Sequence, residues 1–98
     1  MKKNLQSIKK ILQEHKSNFY REFKVKKLAI FGSFVRGEQK RKSDIDILVE
    51  FSEPVSFFVF LDLEEYLSKL LGSKVDLVSK KALKPRIGKF ILQEMVAV

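Results

Sequence analysis

One stretch constrains this chain more than any other: LAIFGSFVRGEQKRKSDIDILVE, from Leu28 to Glu50. Leu28-Ala29-Ile30-Phe31 is an apolar run of the length expected for a short buried strand. It stops at Gly32-Ser33, a small pair that lets the backbone turn sharply and leaves N–H groups unobstructed. A polar, basic connection follows, carrying Arg36, Lys40, Arg41 and Lys42. Ser43-Asp44-Ile45-Asp46-Ile47-Leu48-Val49 then opens a second strand with two carboxylates at its first positions. Side chains alternate along a strand, so Asp44 and Asp46 share one face while Ile45, Ile47 and Val49 take the other. Their Cα atoms lie about 6.6 Å apart at roughly 3.3 Å of rise per residue, close enough for their oxygens to converge on one cation. Antiparallel pairing of the two strands would bring the Gly-Ser turn beside both aspartates. Backbone donors for a phosphate would then face carboxylates for a hard metal ion.

The flanking segments predict a small α/β (α+β) domain over residues 1–98, with a mixed sheet of about three strands and about four helices. Leu5, Ile8, Ile11, Leu12 and Phe19 recur at helical spacing, predicting one amphipathic helix from Asn4 to about Tyr20. His15, the only histidine, is assigned no role. Phe19 and Phe23 are expected to pack where the chain bends into the first strand, Val25 to Phe31. Phe34-Val35-Arg36 can form a helical turn closed by Gly37, its N-terminal amides aimed at a phosphate. Ser56 is placed to cap a helix that Gly72 stops at Leu71. Its Phe57-Phe58 start reads first as core and second as an exposed docking patch. Lys74 to Ser79 predicts a third strand, with Asp76 and Val78 opposite Val75 and Leu77. An aspartate among valines and leucines is costly unless it is exposed, paired or metal-bound. The last helix is expected to start at Leu83-Lys84-Pro85, covering the sheet with Leu83, Ile87, Phe90, Ile91 and Met95.

Gly32-Ser33, ten residues, then Asp44-x-Asp46 resembles the Gly-Ser-x10-Asp-x-Asp signature of polymerase-β-like nucleotidyltransferases. The resemblance is strongest to the minimal, MNT-type members. It continues through Arg36-Gly37 and through Lys74-Val75-Asp76-Leu77-Val78, which is similar to the strand bearing the third carboxylate. It implies that Asp44, Asp46 and Asp76 are catalytic and ligate Mg²⁺ or Mn²⁺, two ions in the full arrangement. Gly32, Ser33 and Arg36 would bind the nucleotide, with ATP as the substrate. A nucleoside monophosphate, AMP by this resemblance, would be transferred and pyrophosphate would leave. Asp76 would serve the ion or proton at the acceptor hydroxyl. Minimal members of this kind are paired with HEPN-domain proteins as toxin–antitoxin systems, so the expected acceptor is a tyrosine of a HEPN-type partner.

Charge leaves two other readings open. The net charge is +8, and residues 1–42 hold 13 Lys/Arg against 3 Asp/Glu while the remainder is slightly acidic. Such asymmetry can mark an acidic partner or a nucleic acid, although no aromatic residues interleave an exposed basic stripe. RNA or a small molecule is therefore the weaker acceptor. Neutralisation of a partner by binding alone, with the carboxylates idle, is the other alternative. No apolar run reaches the ~18 residues of a membrane span, and Gln6, Lys9 and Lys10 interrupt any signal-like core after Met1-Lys2-Lys3. No membrane association is expected, and a cytoplasmic location is. There are no cysteines, which excludes disulfides and thiolate metal sites.

Overall fold

A computed structural model describes residues 4–98; Met1, Lys2 and Lys3 lie outside the described residues. The chain runs α1 (Leu5–Glu14), α2 (Lys16–Phe23), β1 (Val25–Phe31), α3 (Ser33–Arg36), β2 (Ile45–Phe51), α4 (Phe57–Leu71), β3 (Val75–Ser79), a 3₁₀ turn (Lys80–Ala82), α5 (Pro85–Glu94) and β4 (Val96–Ala97). The sheet order is β3-β2-β1-β4. β1 pairs antiparallel with β2 and β4, and β2 pairs parallel with β3 across the α4 crossover. The described residues thus hold four strands and five α-helices where the sequence predicts about three and four.

One sheet face carries the core. Leu28, Ile30, Ile45, Ile47, Val49, Val75 and Leu77 meet Ile8, Leu12, Phe19, Leu63, Leu67 and Leu71 from α1, α2 and α4. The alternation read from β2 is the alternation seen: Ile45, Ile47 and Val49 are fully buried, and Asp46 takes the other face. Ser56 caps α4 by accepting the Val59 N–H, and Gly72 ends it in the left-handed region at φ 65°. At the other end of the core, Phe19 and Phe23 meet Tyr66 edge-on, with ring centroids 5.9 and 5.5 Å apart.

Three local expectations differ. The first helix is broken at His15, whose N–H donates to Leu12 O rather than one turn back. The Ile11 carbonyl left over by this shift accepts from His15 Nδ1 at 2.9 Å in the tautomer that carries the hydrogen there. His15 thus marks the break between α1 and α2, and Phe19 of α2 is buried in the core. Phe57 and Phe58 are exposed, which removes the core reading. Finally, α5 does not cover the sheet with its whole apolar stripe. It leads straight into β4 at the β1 edge, and Ile87 and Phe90 stand in solvent while Gly88, packed on Leu83, is buried.

The outer edge of β3 is closed by side chains of α4. Ser68 Oγ accepts the Val75 N–H at 3.0 Å, and Glu64 Oε2 accepts the Leu77 N–H at 2.9 Å. This satisfies donors that an edge strand would otherwise present to another chain. Glu64→Ala should lower stability by about 1–2 kcal/mol, the cost of leaving a part-buried donor unpaired. Urea unfolding should show this as a lower midpoint at unchanged slope.

Candidate active site

The candidate residues meet at one end of the sheet because of strand register. Phe31, the last residue of β1, is opposite Asp46, and Asp46 is in turn opposite Asp76 on parallel β3. Adjacent strands lie about 4.8 Å apart, so Asp76, Asp46 and the turn after β1 follow one another across the sheet edge. Asp44 sits two residues before Asp46, just ahead of β2, and is exposed, as is Asp76; Asp46 is half-buried. Lys74 Nζ lies 3.8 Å from Asp44 Oδ2.

Gly32 makes this convergence sterically possible. Its φ is +79°, and a Cβ built there would lie 2.0 Å from Asp46 Oδ2. Only a residue without a side chain can take this left-handed conformation against that carboxylate. The Gly32 carbonyl accepts from Val35 and Arg36, closing the single turn α3, and Gly37 ends it at φ 71°. Lys40, Arg41 and Lys42 are exposed on the connection to β2.

Both Gly32 and Arg36 are engaged by a residue that the sequence reading did not single out. Glu94, the last residue of α5, accepts the Gly32 N–H on Oε2 at 3.0 Å and pairs through Oε1 with Arg36 Nη1 at 2.5 Å. Arg36 Nε also reaches Glu38 at 2.9 Å. The Gly32 N–H, then Arg36, hold the Glu94 carboxyl below its ordinary value. No local signal marks Glu94, because its partners lie 58 and 62 residues away. Asp46 is perturbed the other way. Burial, then the neighbouring charges of Asp76 and Asp44, push its carboxyl above the ordinary 3.8.

Such excess negative charge suits a cation. Among the described residues no three potential ligands form a ready-made cage. A hard ion such as Mg²⁺ needs none, since it typically uses one or two carboxylates and fills its octahedron with phosphate oxygens and water. The in-register Asp46–Asp76 pair with Asp44 alongside fits that donor set. An open cleft of about 680 Å³ lies on the other side of Asp46, lined by Gly32, Arg36, Glu94 and the exposed face of α5.

A glycine turn and a carboxylate row at one sheet edge define a site of the kind that handles metal-bound nucleotides. The family model described as a nucleotidyltransferase domain matches residues 8–98, and the chain belongs to that family. It is a nucleotidyltransferase of the minimal type. The protein adenylyltransferase MntA of Thermococcus cleftensis is 50% identical over 94 residues, covering 96% of this chain and 95% of that protein. A solved structure described as a candidate minimal nucleotidyltransferase is 31% identical with a TM-score of 0.83, covering 98% and 97% of the two chains. A toxin–antitoxin structure containing AMP-PNP is 26% identical with a TM-score of 0.70, covering 94% of this chain and 69% of that one. Among the described residues, no helix is long and apolar enough to cross a membrane.

Two outcomes follow from the charges. A raised carboxyl pKa means that folded Asp46 binds its proton more readily than unfolded Asp46, so stability is lost as pH rises through the folded pKa. In metal-free buffer, Asp46→Asn should raise the melting temperature at pH 7. That gain should vanish below the ordinary aspartate value of 3.8. Glu94→Ala should leave the core intact but expose the Gly32 amide, seen as faster hydrogen exchange at Gly32 than in the parent protein.

Proposed function

We propose that the chain transfers AMP from ATP to a hydroxyl of a protein partner, most specifically a tyrosine of a HEPN-type toxin that it thereby neutralises. The observation that carries this reading is the order Asp76, Asp46, Gly32 across one sheet edge. That order would give the donor nucleotide and the acceptor separate sides of a shared carboxylate. Support for a protein acceptor comes from the MntA relative, and support for an antitoxin role from the toxin–antitoxin structure with AMP-PNP.

Each residue has a distinct part. Asp46 and Asp44 would hold the cation that accompanies the triphosphate, and Asp76, beside Asp46, would complete the ligand set on the acceptor side. Mg²⁺ or Mn²⁺ bound there, as a pair of ions, would supply charge neutralisation on the phosphates and lower the pKa of the acceptor hydroxyl. Ser33 follows Gly32 in the turn and offers its hydroxyl and N–H to the outer phosphates, whereas Arg36 supplies positive charge beside them. The acceptor oxygen attacks the α-phosphorus, the bond to the bridging oxygen breaks, and pyrophosphate leaves with its electron pair. The acceptor proton passes to Asp76 or to water.

The fold also bears on where a partner docks. Phe57, Phe58 and Leu61 are exposed near the start of α4, and Phe57 lines a cleft with Val49–Phe51 and Ser79 at the far ends of β2 and β3. Phe51, the last residue of β2, is five residues beyond Asp46, or about 17 Å at strand rise. A partner seated there must extend along the sheet to present its hydroxyl at Asp76.

With labelled ATP, Mg²⁺ and the protein encoded next to this one, label should appear on a tyrosine of that protein. Asp44→Asn with Asp46→Asn should abolish labelling and neutralisation together, and Asp76→Asn should reduce transfer by about two orders of magnitude or more while ATP still binds. Neutralisation that survives the double substitution would assign the effect to binding alone. Label on RNA would overturn the protein acceptor.

A further inference from the structure

We propose that the face of α5 formed by exposed Ile87 and Phe90, with half-buried Ile91 beside them, is the nucleobase subsite of the donor nucleotide. This rests on the reading of the chain as a nucleotidyltransferase that uses a nucleoside triphosphate. Ile87 and Phe90 are 59% and 73% exposed, an unusual expense of large apolar side chains beside charged groups. Both line the same cleft as Phe31, Gly32, Arg36 and Asp46. Its volume of about 680 Å³ lies within the range of small-molecule sites, roughly 300–1,000 Å³.

The cleft is polar at one end and apolar at the other, and α5 sets the spacing. Glu94 is fixed on the Gly32 N–H and Arg36. Phe90 lies one helical turn earlier, and Ile87 nearly two, a span of roughly 10 Å at 1.5 Å per residue. Positions 87, 90 and 94 follow the i, i+3, i+7 spacing of one helix face. The cleft therefore places a ring and a branched aliphatic side chain a short distance from the residues that would hold phosphates. A nucleoside triphosphate has the same two-ended chemistry, an anionic chain joined through ribose to a planar base with apolar faces.

Sheet order separates this subsite from the acceptor. Asp76 lies on β3, on one side of Asp46, while Gly32, β4 and α5 lie on the other. An acceptor arriving at Asp76 leaves the α5 cleft free for the donor. The second exposed aromatic patch, Phe57 and Phe58, is at the far end of the strands and cannot receive a base whose phosphates lie at Asp46.

The test compares two ligands on the full chain by titration calorimetry with Mg²⁺ present: ATP, and inorganic tripolyphosphate, which has the phosphates without the base. Because Phe90 is mostly in solvent, Phe90→Ala should fold normally. It should weaken ATP about tenfold or more, the usual loss on removing one stacking ring, and leave tripolyphosphate unchanged. Phe90→Trp should restore ATP affinity. Equal weakening of both ligands would overturn the subsite, since α5 would then act on the phosphate end. Unchanged ATP binding in Phe90→Ala would overturn it too. If the parent chain binds neither ligand, the nucleotide reading itself falls, an outcome distinct from loss of the base subsite alone.

Discussion

The close approach of Gly32 to Asp46 is the constraint on which the site depends. The β1–β2 register places Phe31 opposite Asp46, so the chain must turn away against a carboxylate. A Cβ at position 32 would lie 2.0 Å from Asp46 Oδ2. With glycine there, the turn can press on the aspartate, shield it from water and raise the energy of its charge. Parallel β3 adds Asp76 alongside and increases the like-charge repulsion. The strain of crowded carboxylates is electrostatic, and a cation bound there would relieve it.

A second layer of organisation comes from the C-terminal segment. β4 pairs with Ala29 and Ile30 of β1, which brings Glu94 to the back of the glycine turn. Glu94 then joins three things through one carboxylate: the Gly32 amide, the Arg36 guanidinium and the end of α5. This explains how a helix that buries few of its apolar side chains is held in place. It also leaves Ile87 and Phe90 uncovered beside the cleft, where a broadly packed helix would have hidden them.

Much of this was legible in the residues themselves. The apolar alternation of Ile45, Ile47 and Val49 assigned Asp46 to the opposite face of β2 without reference to any neighbour. Ser56 and Gly72 marked the ends of α4, because capping and a left-handed stop are local chemistry. Lone residues in amphipathic stretches were harder to read. His15 showed no role on what read as one continuous helix, yet its ring bonds a backbone carbonyl where the helix breaks. The stripe Leu83, Ile87, Phe90, Ile91 and Met95 has core spacing, and periodicity cannot show that the surface it should cover lies elsewhere.

The sequence by itself determined the fold class, the phosphate-type turn and the carboxylate row, since each follows from short-range spacing, side-chain alternation and the absence of a Cβ. Tertiary structure alone decided which groups meet Gly32 and Arg36, and which aromatic residues stand at the aspartate end of the sheet. Glu94 is 62 residues from Gly32, and Phe57 and Phe90 are distinguished only by the strand ends beside them. Which groups surround Gly32 and Asp46 depends on register and on which edge β4 takes. Long-range pairing settles both, and no local pattern encodes it.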